Sequence, residues 1–475
     1  MKHLSEILSS TEVISFSATE DHTITGLTYD SRTVTEGNCF FAVRGTQSDG
    51  HDYIPRAVEA GAVAVVCEQE PEKKSDGVSY IVVADTNKAM ADMAAAYYDH
   101  PSRELHLVGV TGTNGKTTIA TLLYDLYRRM GYRAGLISTV VYRIDTREIP
   151  STHTTPDAIR LNAMLREMVD CGCDYCFMEV SSHSLVQDRV RGLKFRGALF
   201  TNLTHDHLDY HGTYAEYIKA KKLLFDRLDK QAFALVNVDD RNGEVMVQNC
   251  RAHVVRYSLR QMADYRAKVL EMLFDGMLLR IDSEEVWVSF LGRFNAYNLL
   301  CVYGAAVELG ADKGEVLQAL SALHSVSGRF EPIRSEGGIT AIVDYAHTPD
   351  ALENVIATIN DIRCGGARLF VVCGCGGDRD PSKREEMGRI ASREADVAIF
   401  TSDNPRTEDP EHILDQIMQG VEAGRQTLRI TDRSQAIRTA VMMAQAGDIV
   451  LVAGKGHEDY QIIGREKIHF DDREQ

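Results

Sequence analysis

The chain has 475 residues, which is enough for about three domains of ordinary size. Its composition, with 44% hydrophobic and 25% charged residues, is that of a globular protein and excludes disordered, collagen-like and coiled-coil chains. The formal net charge of −17 disfavours general binding to nucleic acid, although a local basic pocket could still hold a phosphorylated small molecule.

The sequence shows neither a membrane segment nor an export signal. Its best apolar run, residues 62–67, is far shorter than the ~18 residues that a membrane helix needs. The N-terminus soon turns polar and lacks the apolar core of a signal peptide. The 10 cysteines are therefore expected to be reduced thiols, and we expect a cytoplasmic protein that contacts neither membranes nor nucleic acid.

Short strands and helices alternate along the first part of the chain. Strands are predicted at 40–45 and 61–67, with a helix at 54–60 between them. After Pro101 a strand is predicted at 105–110, then a loop at 111–115 and an apolar-periodic helix at 116–130. Further strands are predicted at the following positions: 175–180, 197–201 and 233–237. This alternation indicates a parallel sheet with crossover helices.

A second series of strands and helices begins after residue 332. The predicted strands are 339–345, 368–373, 397–402 and 448–453, and the predicted helices are 349–362, 382–395, 410–420 and 433–445. We therefore predict an α/β protein of three domains, divided as 1–100, 101–332 and 333–475. No short internal repeat or low-complexity tract suggests a solenoid or a disordered tail.

The strongest local signal is the segment 111–118, Thr-Gly-Thr-Asn-Gly-Lys-Thr-Thr, between a predicted strand and a predicted helix. Backbone N–H groups of such a loop can surround phosphate oxygens, Lys116 can neutralise the terminal phosphates, and the Thr117 hydroxyl can reach a magnesium ion. One departure is Val110, where the usual phosphate-loop pattern has a glycine. The alternative is a glycine turn that only caps a helix.

Two further segments could complete a metal–phosphate centre. Glu179 ends a predicted strand, where its carboxylate could bind a hard cation. His205, His207 and Asp209 follow another predicted strand, and their spacing also resembles the zinc ligands of metallo-hydrolases. An upstream phosphate loop has no place in such a hydrolase, and a third reading is that these histidines are ordinary loop residues. The cysteine pairs at 173 and 176 and at 373 and 375 suggest a structural zinc site only weakly, and core thiols are favoured.

Taken together, these residues resemble the Mur ligases, a family of peptidoglycan synthetases. The resemblance covers essentially the whole chain, whereas the phosphate loop alone would also fit folylpolyglutamate synthetase. The matching segments are Asp-Ser-Arg at 30–32, Gly-Thr-Asn-Gly-Lys-Thr-Thr at 112–118, Thr-Thr-Pro at 154–156, Glu-Val-Ser-Ser-His at 179–183, His-Asp-His-Leu-Asp at 205–209, Gly-Arg-Phe-Asn-Ala-Tyr-Asn at 292–298, Ser-Gly-Arg-Phe-Glu at 327–331, Asp-Tyr-Ala-His-Thr-Pro-Asp at 344–350, Asp-Asn-Pro-Arg at 403–406 and Gly-Lys-Gly-His-Glu at 454–458.

The resemblance implies an ADP-forming amide ligase with three domains. An N-terminal UDP-sugar-binding domain would precede a central parallel-sheet ATPase domain of the P-loop type and a C-terminal Rossmann-like domain that binds an amino acid. The reaction would add meso-diaminopimelate to UDP-N-acetylmuramoyl-L-alanyl-D-glutamate through an acyl phosphate. ATP would be a co-substrate, Mg²⁺ a cofactor, and CO₂ would carbamylate a lysine. We expect a monomer whose partners are these small molecules.

The resemblance also assigns nucleotide and metal residues. The catalytic residues would be Lys116, Lys221, His207 and Glu179. The ATP-binding residues would be Gly112, Thr113, Asn114, Gly115, Lys116, Thr117, Thr118, Asn295, Asn298, Arg329, Asp344 and His347. The metal ligands would be Thr117, Glu179, His207 and carbamylated Lys221. From the residues alone, Lys219, Lys221 and Lys222 could equally form the solvated face of a helix.

Two further sets of residues would bind the other substrates. The UDP-sugar dipeptide would contact Ser31, Thr46, Gln47, Ser48, Thr154, Thr155, Ser181, Gln187 and Arg189. Diaminopimelate would contact Arg379, Asp403, Asn404, Pro405, Arg406, Gly454 and Glu458. The resemblance implies diaminopimelate because family members that add it tend to have arginine at the position of Arg406, where a guanidinium can bind the distal carboxylate that lysine lacks. The alternatives are a lysine-adding ligase, a folylpolyglutamate-type ligase and a non-enzymatic nucleotide switch.

Overall fold

The computed structural model describes residues 1–17, 20–45, 48–204, 208–363 and 365–475. Three large sheets follow one another along the chain. The strand Glu331–Arg334 already pairs with the third sheet, so it spans the predicted division between residues 332 and 333. No helix within these ranges is long and apolar enough to cross a membrane.

The first sheet has five strands and is parallel except for one edge. In spatial order its strands are Ser15–Ser17, Ser79–Val82, Ala64–Cys67, Asn38–Phe41 and Gly26–Thr28, the first of them antiparallel to its neighbour. The helices of this part are Leu4–Leu8, Ile54–Glu59 and Thr86–Tyr97, with 3₁₀ turns at Gly50–Tyr53 and Pro101–Arg103. A separate antiparallel pair joins Lys2–His3 to Thr23–Ile24.

The second sheet has eleven strands and carries the predicted parallel core at its centre. Its order is Arg147–Pro150, Val141–Ile144, Ala134–Ile137, Tyr175–Glu179, His106–Thr111, Gly197–Phe200, Phe233–Asn237, His253–Ser258, Tyr265–Leu273, Gly276–Ile281 and Glu284–Val288. The two outermost strands at each end are antiparallel additions that the sequence analysis did not predict. His106–Thr111 lies between Tyr175–Glu179 and Gly197–Phe200, so the segments that follow these three parallel strands meet at one edge of the sheet.

Helices cover both faces of this central sheet. One face packs against Lys116–Arg129 and Arg293–Glu308, and the opposite face packs against Ala158–Asp170 and Tyr214–Asp226. The remaining helices of this part are Ser182–Val186, Leu208–His211, Gly243–Met246 and Lys313–Ser321. Because each face is closed by a helix layer, the central strands are buried on both sides, as expected for a parallel sheet.

The third sheet has six strands and is parallel except for its first. Its order is Glu331–Arg334, Thr340–Asp344, Ile449–Ala453, Leu369–Cys373, Val397–Phe400 and Thr427–Arg429. Its helices are Pro349–Ile362, Arg384–Glu394, Pro410–Met418 and Arg433–Met443, with a 3₁₀ turn at Pro381–Lys383 where the sequence predicted the start of a helix. A hairpin of Tyr460–Ile463 and Glu466–His469 follows the last strand of the sheet.

A buried ion pair fixes the C-terminal tail to the third sheet. The Arg433 guanidinium donates two hydrogen bonds of 2.7 Å to the Asp472 carboxylate, and neither side chain is exposed. Arg433 also donates to the Ala453 carbonyl at 3.1 Å, at the end of the strand Ile449–Ala453. The tail therefore supports the strand end that leads into residues 454–458.

Replacing Asp472 with alanine is expected to lower the free energy of opening of this strand by about 3–5 kcal/mol, because a buried guanidinium loses its counter-charge. Native-state hydrogen exchange of the Ile449–Ala453 amides measures this energy. The control is Asp415→Ala, which removes an exposed partner of Arg429 and should cost at most about 1 kcal/mol. Equally small losses in both variants would contradict the prediction.

Candidate active site

The phosphate loop lies at the carboxyl edge of the central sheet, between the strand His106–Thr111 and the helix Lys116–Arg129. Gly115 has a φ of 88°, in the left-handed region that glycine adopts readily. A Cβ atom at Gly112 would lie only 1.9 Å from the Thr201 Oγ1 atom. Both glycines are thus required by the backbone, which can approach a bound phosphate closely.

The place of Val110 in a strand explains why this chain has valine where the usual phosphate-loop pattern has glycine. It is fully buried in the strand His106–Thr111 and pairs with Glu179 on one side and Leu199 on the other. The backbone is therefore still extended at this position, and the loop begins only after Thr111. An extended strand residue needs no glycine.

The end of the neighbouring strand holds the phosphate loop in place. The Thr113 N–H donates to the Asn202 carbonyl at 2.8 Å, and the Asn114 N–H donates to Asn202 Oδ1 at 2.9 Å. The Thr201 hydroxyl donates to the Asn114 carbonyl at 2.6 Å. The sequence analysis did not assign Thr201 and Asn202 to the site, although their position directly after a parallel strand was the available signal.

Two lysine ammonium groups converge on this loop. Lys116 Nζ donates to the carbonyls of Gly112 at 2.9 Å and Thr113 at 2.7 Å. Lys221 Nζ donates to the same Gly112 carbonyl at 2.7 Å from the helix Tyr214–Asp226. Two cationic groups therefore meet at the Gly112 carbonyl of the loop that would receive the phosphates.

Burial distinguishes Lys221 from the other two lysines of its helix. The Lys221 residue is 1% exposed, whereas the Lys219 side chain is 70% exposed and pairs with Glu216. Lys222 pairs with Asp226 one turn further along the same helix. Of these three lysines, Lys221 is the one that reaches the phosphate loop.

Glu179 is fully buried at the end of its strand, and Thr139 holds both of its carboxylate oxygens. The Thr139 N–H donates to Glu179 Oε1 at 2.7 Å, and its hydroxyl lies 3.2 Å from Oε2. The same hydroxyl donates to Thr154 Oγ1 at 3.0 Å, and the Thr155 hydroxyl donates to the Glu179 carbonyl at 2.8 Å. Glu179 is thereby joined to the Thr-Thr-Pro segment predicted for the sugar peptide.

The donor set around the loop suits magnesium. The Glu179 carboxylate and the Thr117 hydroxyl are both buried, and Mg²⁺ prefers oxygen ligands of this kind near phosphate groups. His207 lies outside the described residues, as do the side chains of the rest of the motif at 205–209. Among the residues that the structure describes, no group of three or more His, Cys, Asp or Glu side chains is placed to hold a metal ion, at the loop or away from it.

The cysteines that suggested zinc lie in hydrophobic cores. Cys173 and Cys176 lie in a hydrophobic core of the central sheet, and Cys373 and Cys375 lie in a hydrophobic core of the third sheet. Burial raises the pKa of Cys173 and of Cys375 to about 11, so both are protonated thiols at neutral pH. They fit the core role that the sequence favoured.

A cavity of about 590 Å³ opens between the phosphate loop and the third sheet. It brings together residues predicted for ATP from three separate parts of the chain. These lining residues are Asn114, Gly115, Thr118, Asn295, Asn298, Arg329, Asp344 and His347. Asn298 Nδ2 donates to Asn295 Oδ1 at 3.1 Å, which orders this amide pair on the helix Arg293–Glu308.

Contacts across this cavity join the central and third sheets. The Asn114 Nδ2 group donates to Asp350 Oδ2 at 3.0 Å, and Arg329 Nη2 donates to the Thr117 hydroxyl at 3.2 Å. Burial raises the pKa of the Asp350 carboxyl, with a contribution from Glu353. The Arg329 guanidinium lies 4.4 Å from the centre of the Tyr345 ring. Arg329 therefore lies between the phosphate loop and the C-terminal part of the chain.

His457 lies beside this junction, with its ring centre 5.1 Å from that of Tyr345. Burial, followed by the positive charges of Arg329, Arg473 and Lys455, lowers the pKa of His457 to about 3. The imidazole is therefore neutral at physiological pH. It adds no further positive charge to a region that already holds several cations.

The residues predicted for the sugar peptide extend from the central sheet towards the first. Arg189 Nη1 donates to the Thr155 carbonyl at 2.8 Å, and its guanidinium donates twice to Gln187 Oε1. Burial and the Asp157 carboxylate raise the pKa of Tyr29, while nearby Arg189 opposes this shift. Ser31, Ser48, Thr154 and Ser181 are described, whereas Thr46 and Gln47 lie outside the described residues.

The residues predicted for the amino acid lie together at the edge of the third sheet, and we call this predicted binding region the amino-acid pocket. Arg406 has a φ of 51°, and its guanidinium donates to the Gly377 carbonyl at 2.7 Å. Its backbone N–H donates to Ile462 at 3.1 Å, and its carbonyl accepts from Gly464 at 2.7 Å. The hairpin thus clamps Arg406 in a left-handed conformation that costs about 1–2 kcal/mol for a residue other than glycine.

The floor of this pocket is built from the remaining predicted residues. Asn404 Nδ2 donates to Glu458 Oε2 at 2.9 Å, and a Cβ atom at Gly454 would lie 2.6 Å from Asp403 Oδ2. Arg379 and Arg406 both flank Gly376. The buried Arg384 guanidinium, which the sequence analysis did not assign, binds Glu408 and the Gly376 carbonyl and so fixes this loop.

Three protein-family models match successive parts of the chain. Residues 23–98 match the model described as Mur ligase family, catalytic domain. Residues 110–306 match the Mur ligase middle domain, and residues 328–456 match the Mur ligase, glutamate ligase domain. The matched segments correspond closely to the three large sheets.

Full-length relatives give the same result. The UDP-N-acetylmuramoyl-L-alanyl-D-glutamate--2,6-diaminopimelate ligase of Bacteroides fragilis is 54% identical over 99% of this chain and 98% of its own length. The protein of the same name from Phocaeicola vulgatus is 56% identical over 95% of this chain and 94% of its own. A solved structure of an enzyme of that name, 34% identical, superposes with a TM-score of 0.71 over 99% of this chain and 97% of its own.

Proposed function

Because the chain belongs to the Mur ligase family, we infer that it is an ATP-dependent, ADP-forming ligase of peptidoglycan precursor synthesis that adds meso-diaminopimelate to UDP-N-acetylmuramoyl-L-alanyl-D-glutamate. The single structural observation that supports this substrate best is that a strained, clamped backbone holds the Arg406 guanidinium in the same group of residues as the Glu458 carboxylate, to which neighbouring Asn404 donates. Such a pair can bind a carboxylate and an ammonium at the distal end of one side chain.

The reaction requires charge neutralisation more than covalent help from the protein. The D-glutamyl carboxylate attacks the γ-phosphorus of ATP, ADP leaves, and an acyl phosphate forms. The amino group of diaminopimelate then attacks the acyl carbon, and inorganic phosphate leaves as the amide forms. We propose that Lys116 turns from the loop carbonyls to the transferring phosphate, because it begins the helix directly after the loop and its half-buried ammonium already contacts the carbonyls of Gly112 and Thr113.

The metal and its ligands are part of this proposal. Thr117, Glu179, His207 and carbamylated Lys221 would hold Mg²⁺, which when bound neutralises phosphate oxygens. The burial of Glu179 and the contact of Lys221 with Gly112 support these assignments. Carbamylation joins the neutral lysine amine to the carbon of CO₂ with loss of a proton, which replaces a cation with an anionic oxygen donor.

Contacts of this chain's own side chains support the remaining assignments. Arg329 donates to Thr117 across the cleft, so it can bridge the phosphates and the C-terminal part. Asp344 accepts from the Phe330 N–H at 2.7 Å and the Ala346 N–H at 2.7 Å, which fixes the segment that carries His347. The peptide end of the sugar substrate would lie along Thr154, Thr155 and Arg189, next to Glu179.

One assay separates this function from its alternatives. Phosphate release should require ATP, the UDP-sugar dipeptide and diaminopimelate together. Folate-dependent turnover with glutamate would indicate a folylpolyglutamate-type ligase, and slow hydrolysis without an amino acid would indicate a nucleotide switch. We further propose a monomer, because the residues assigned to all three substrates lie on one chain, and sedimentation of the full-length protein tests the oligomeric state. We also propose that the protein acts in the cytoplasm, as the resemblance to peptidoglycan-precursor ligases implies.

Replacing Arg406 with alanine is expected to raise the KM for diaminopimelate by roughly 10- to 100-fold, since charge-assisted hydrogen bonds to a carboxylate are lost. The KM for ATP should change little. Steady-state kinetics with each substrate varied in turn measure both constants. Arg425→Ala is the control. Within the described residues, Arg425 forms a single ion pair, and its partner is the exposed carboxylate of Glu422. A preference of the unmodified enzyme for L-lysine would overturn the diaminopimelate assignment.

A further inference from the structure

Lys455 is a fully buried cation in the floor of the amino-acid pocket. Its side chain is 0% exposed, and its Nζ atom lies 3.0 Å from Glu458 Oε2 and 3.3 Å from Asn404 Oδ1. It also lies 5.3 Å from the centre of the Tyr460 ring. A buried ammonium is costly unless it is paired, so Glu458 and Asn404 offset the burial of Lys455 within the amino-acid pocket.

Lys455 and the Ile462 N–H together fix the orientation of the Asn404 side-chain amide. The Asn404 Oδ1 atom accepts from Lys455 Nζ and from the Ile462 N–H at 2.9 Å. An amide has one accepting and one donating end, so Nδ2 is turned towards Glu458, at 2.9 Å from Oε2. Lys455 and Asn404 therefore both hold the same carboxylate oxygen of Glu458.

The charges of the pocket explain what this arrangement selects. The assigned amino-acid residues together with Lys455 comprise three cations, Arg379, Arg406 and Lys455, and two anions, Asp403 and Glu458, so this set carries one positive charge in excess. Of the three cations, Lys455 is fully buried, whereas Arg379 is exposed. The distal end of diaminopimelate is a zwitterion, whereas that of L-lysine is an ammonium alone. A pocket with excess positive charge favours the zwitterion and disfavours the lone cation, because like charges repel strongly where water is excluded.

We propose that Lys455 is a specificity-determining residue, whose buried ammonium balances Glu458 and makes the pocket prefer a zwitterionic distal group over a lone ammonium. This inference rests on the proposed function. It adds a third cation to the two arginines that the sequence analysis assigned, and it acts on substrate choice through Glu458. Removing the charge should make the pocket more tolerant of lysine and less favourable to diaminopimelate.

The experiment compares kcat/KM for meso-diaminopimelate and for L-lysine in the unmodified enzyme and in Lys455→Met, Lys455→Gln and Lys455→Arg. In the two neutral variants the ratio of diaminopimelate to lysine should fall at least about tenfold. The KM values for ATP and the UDP-sugar dipeptide should stay near normal. Lys455→Arg, which keeps the charge, should retain most of the preference.

The matched control is Lys467→Met. Lys467 is exposed on the hairpin, and its ammonium lies 3.8 Å from the centre of the same Tyr460 ring, so the variant removes an equal charge outside the pocket. Its substrate ratio should be unchanged. Lys455→Gln keeps hydrogen-bonding atoms, so it provides the measurement if Lys455→Met does not fold.

Two results would overturn the inference. The first is an unchanged ratio in both neutral variants, including an equal loss with both amino acids, which a merely structural role would give. The second is failure of both neutral variants to fold. If the unmodified enzyme did not use diaminopimelate at all, the proposed function would fail as well, and this is seen before any variant is measured.

Discussion

Replacing Lys116 with alanine is expected to reduce kcat by at least about 10²- to 10³-fold, which corresponds to about 2.7–4 kcal/mol of transition-state stabilisation. The lost ammonium contacts two carbonyls of the loop that would cradle the transferring phosphate. The fold should be retained, because Lys116 is half-buried and its hydrogen bonds go to two loop carbonyls. Single-turnover phosphate release measures the effect directly.

The control for this variant lies at the other end of the same helix. Arg129 is exposed at the end of Lys116–Arg129, so Arg129→Ala removes a cation without touching the loop. Near-normal kcat is expected there. If Lys116→Ala were as active as Arg129→Ala, with similar melting temperatures, the phosphate site would have to lie elsewhere on the protein.

Much of the fold could be predicted because its central elements carry strong local signals. The strands that flank the phosphate loop are short apolar runs, and Phe233–Asn237 and the helix Pro349–Ile362 have the predicted bounds. The antiparallel edges were missed because Gly276–Ile281 and Glu284–Val288 gain their order from pairing with Tyr265–Leu273. Pairing of this kind depends on context more than on local propensity.

The site was predictable where its chemistry is encoded in consecutive residues, as in the phosphate loop. Residues that act by holding others gave no such signal. Thr139 is separated from Glu179 by 40 positions, and Asn114 is separated from Asp350 by 236. Lys455 lies within the matching segment 454–458 but was assigned no role, and its burial beside Asn404 and Glu458 indicates one. These contacts exist only once the sheets have assembled.

The three lysines of one helix illustrate the same limit. An amphipathic pattern at 219–222 is compatible with a solvated face for all three. The structure separates them, because the Lys221 ammonium lies under the phosphate loop while Lys219 and Lys222 pair with acidic residues on their own helix. Depth of burial is a tertiary property, so it cannot be read from spacing alone.

Replacing Lys221 with alanine is expected to reduce turnover by about 10²-fold or more, because the carbamate that we propose there would supply an anionic oxygen ligand next to the phosphates. Formate should restore part of the activity, since its carboxylate can take the place of the missing oxygen donor. A second measurement does not depend on activity. Isotopically labelled bicarbonate should give a carbamate carbon signal in the unmodified protein that is absent from Lys221→Ala.

Lys219→Ala and Lys222→Ala are matched controls, because they remove the same group from the same helix. Both variants should keep the carbamate signal and most of the turnover. Lys219 and Lys222 pair with acidic residues of their own helix, whereas Lys221 contacts the Gly112 carbonyl. Full activity of Lys221→Ala would show that no essential ligand comes from this position. Loss of activity without any labelled signal in the unmodified protein would assign Lys221 a different role, as the cation that supports the phosphate loop through Gly112.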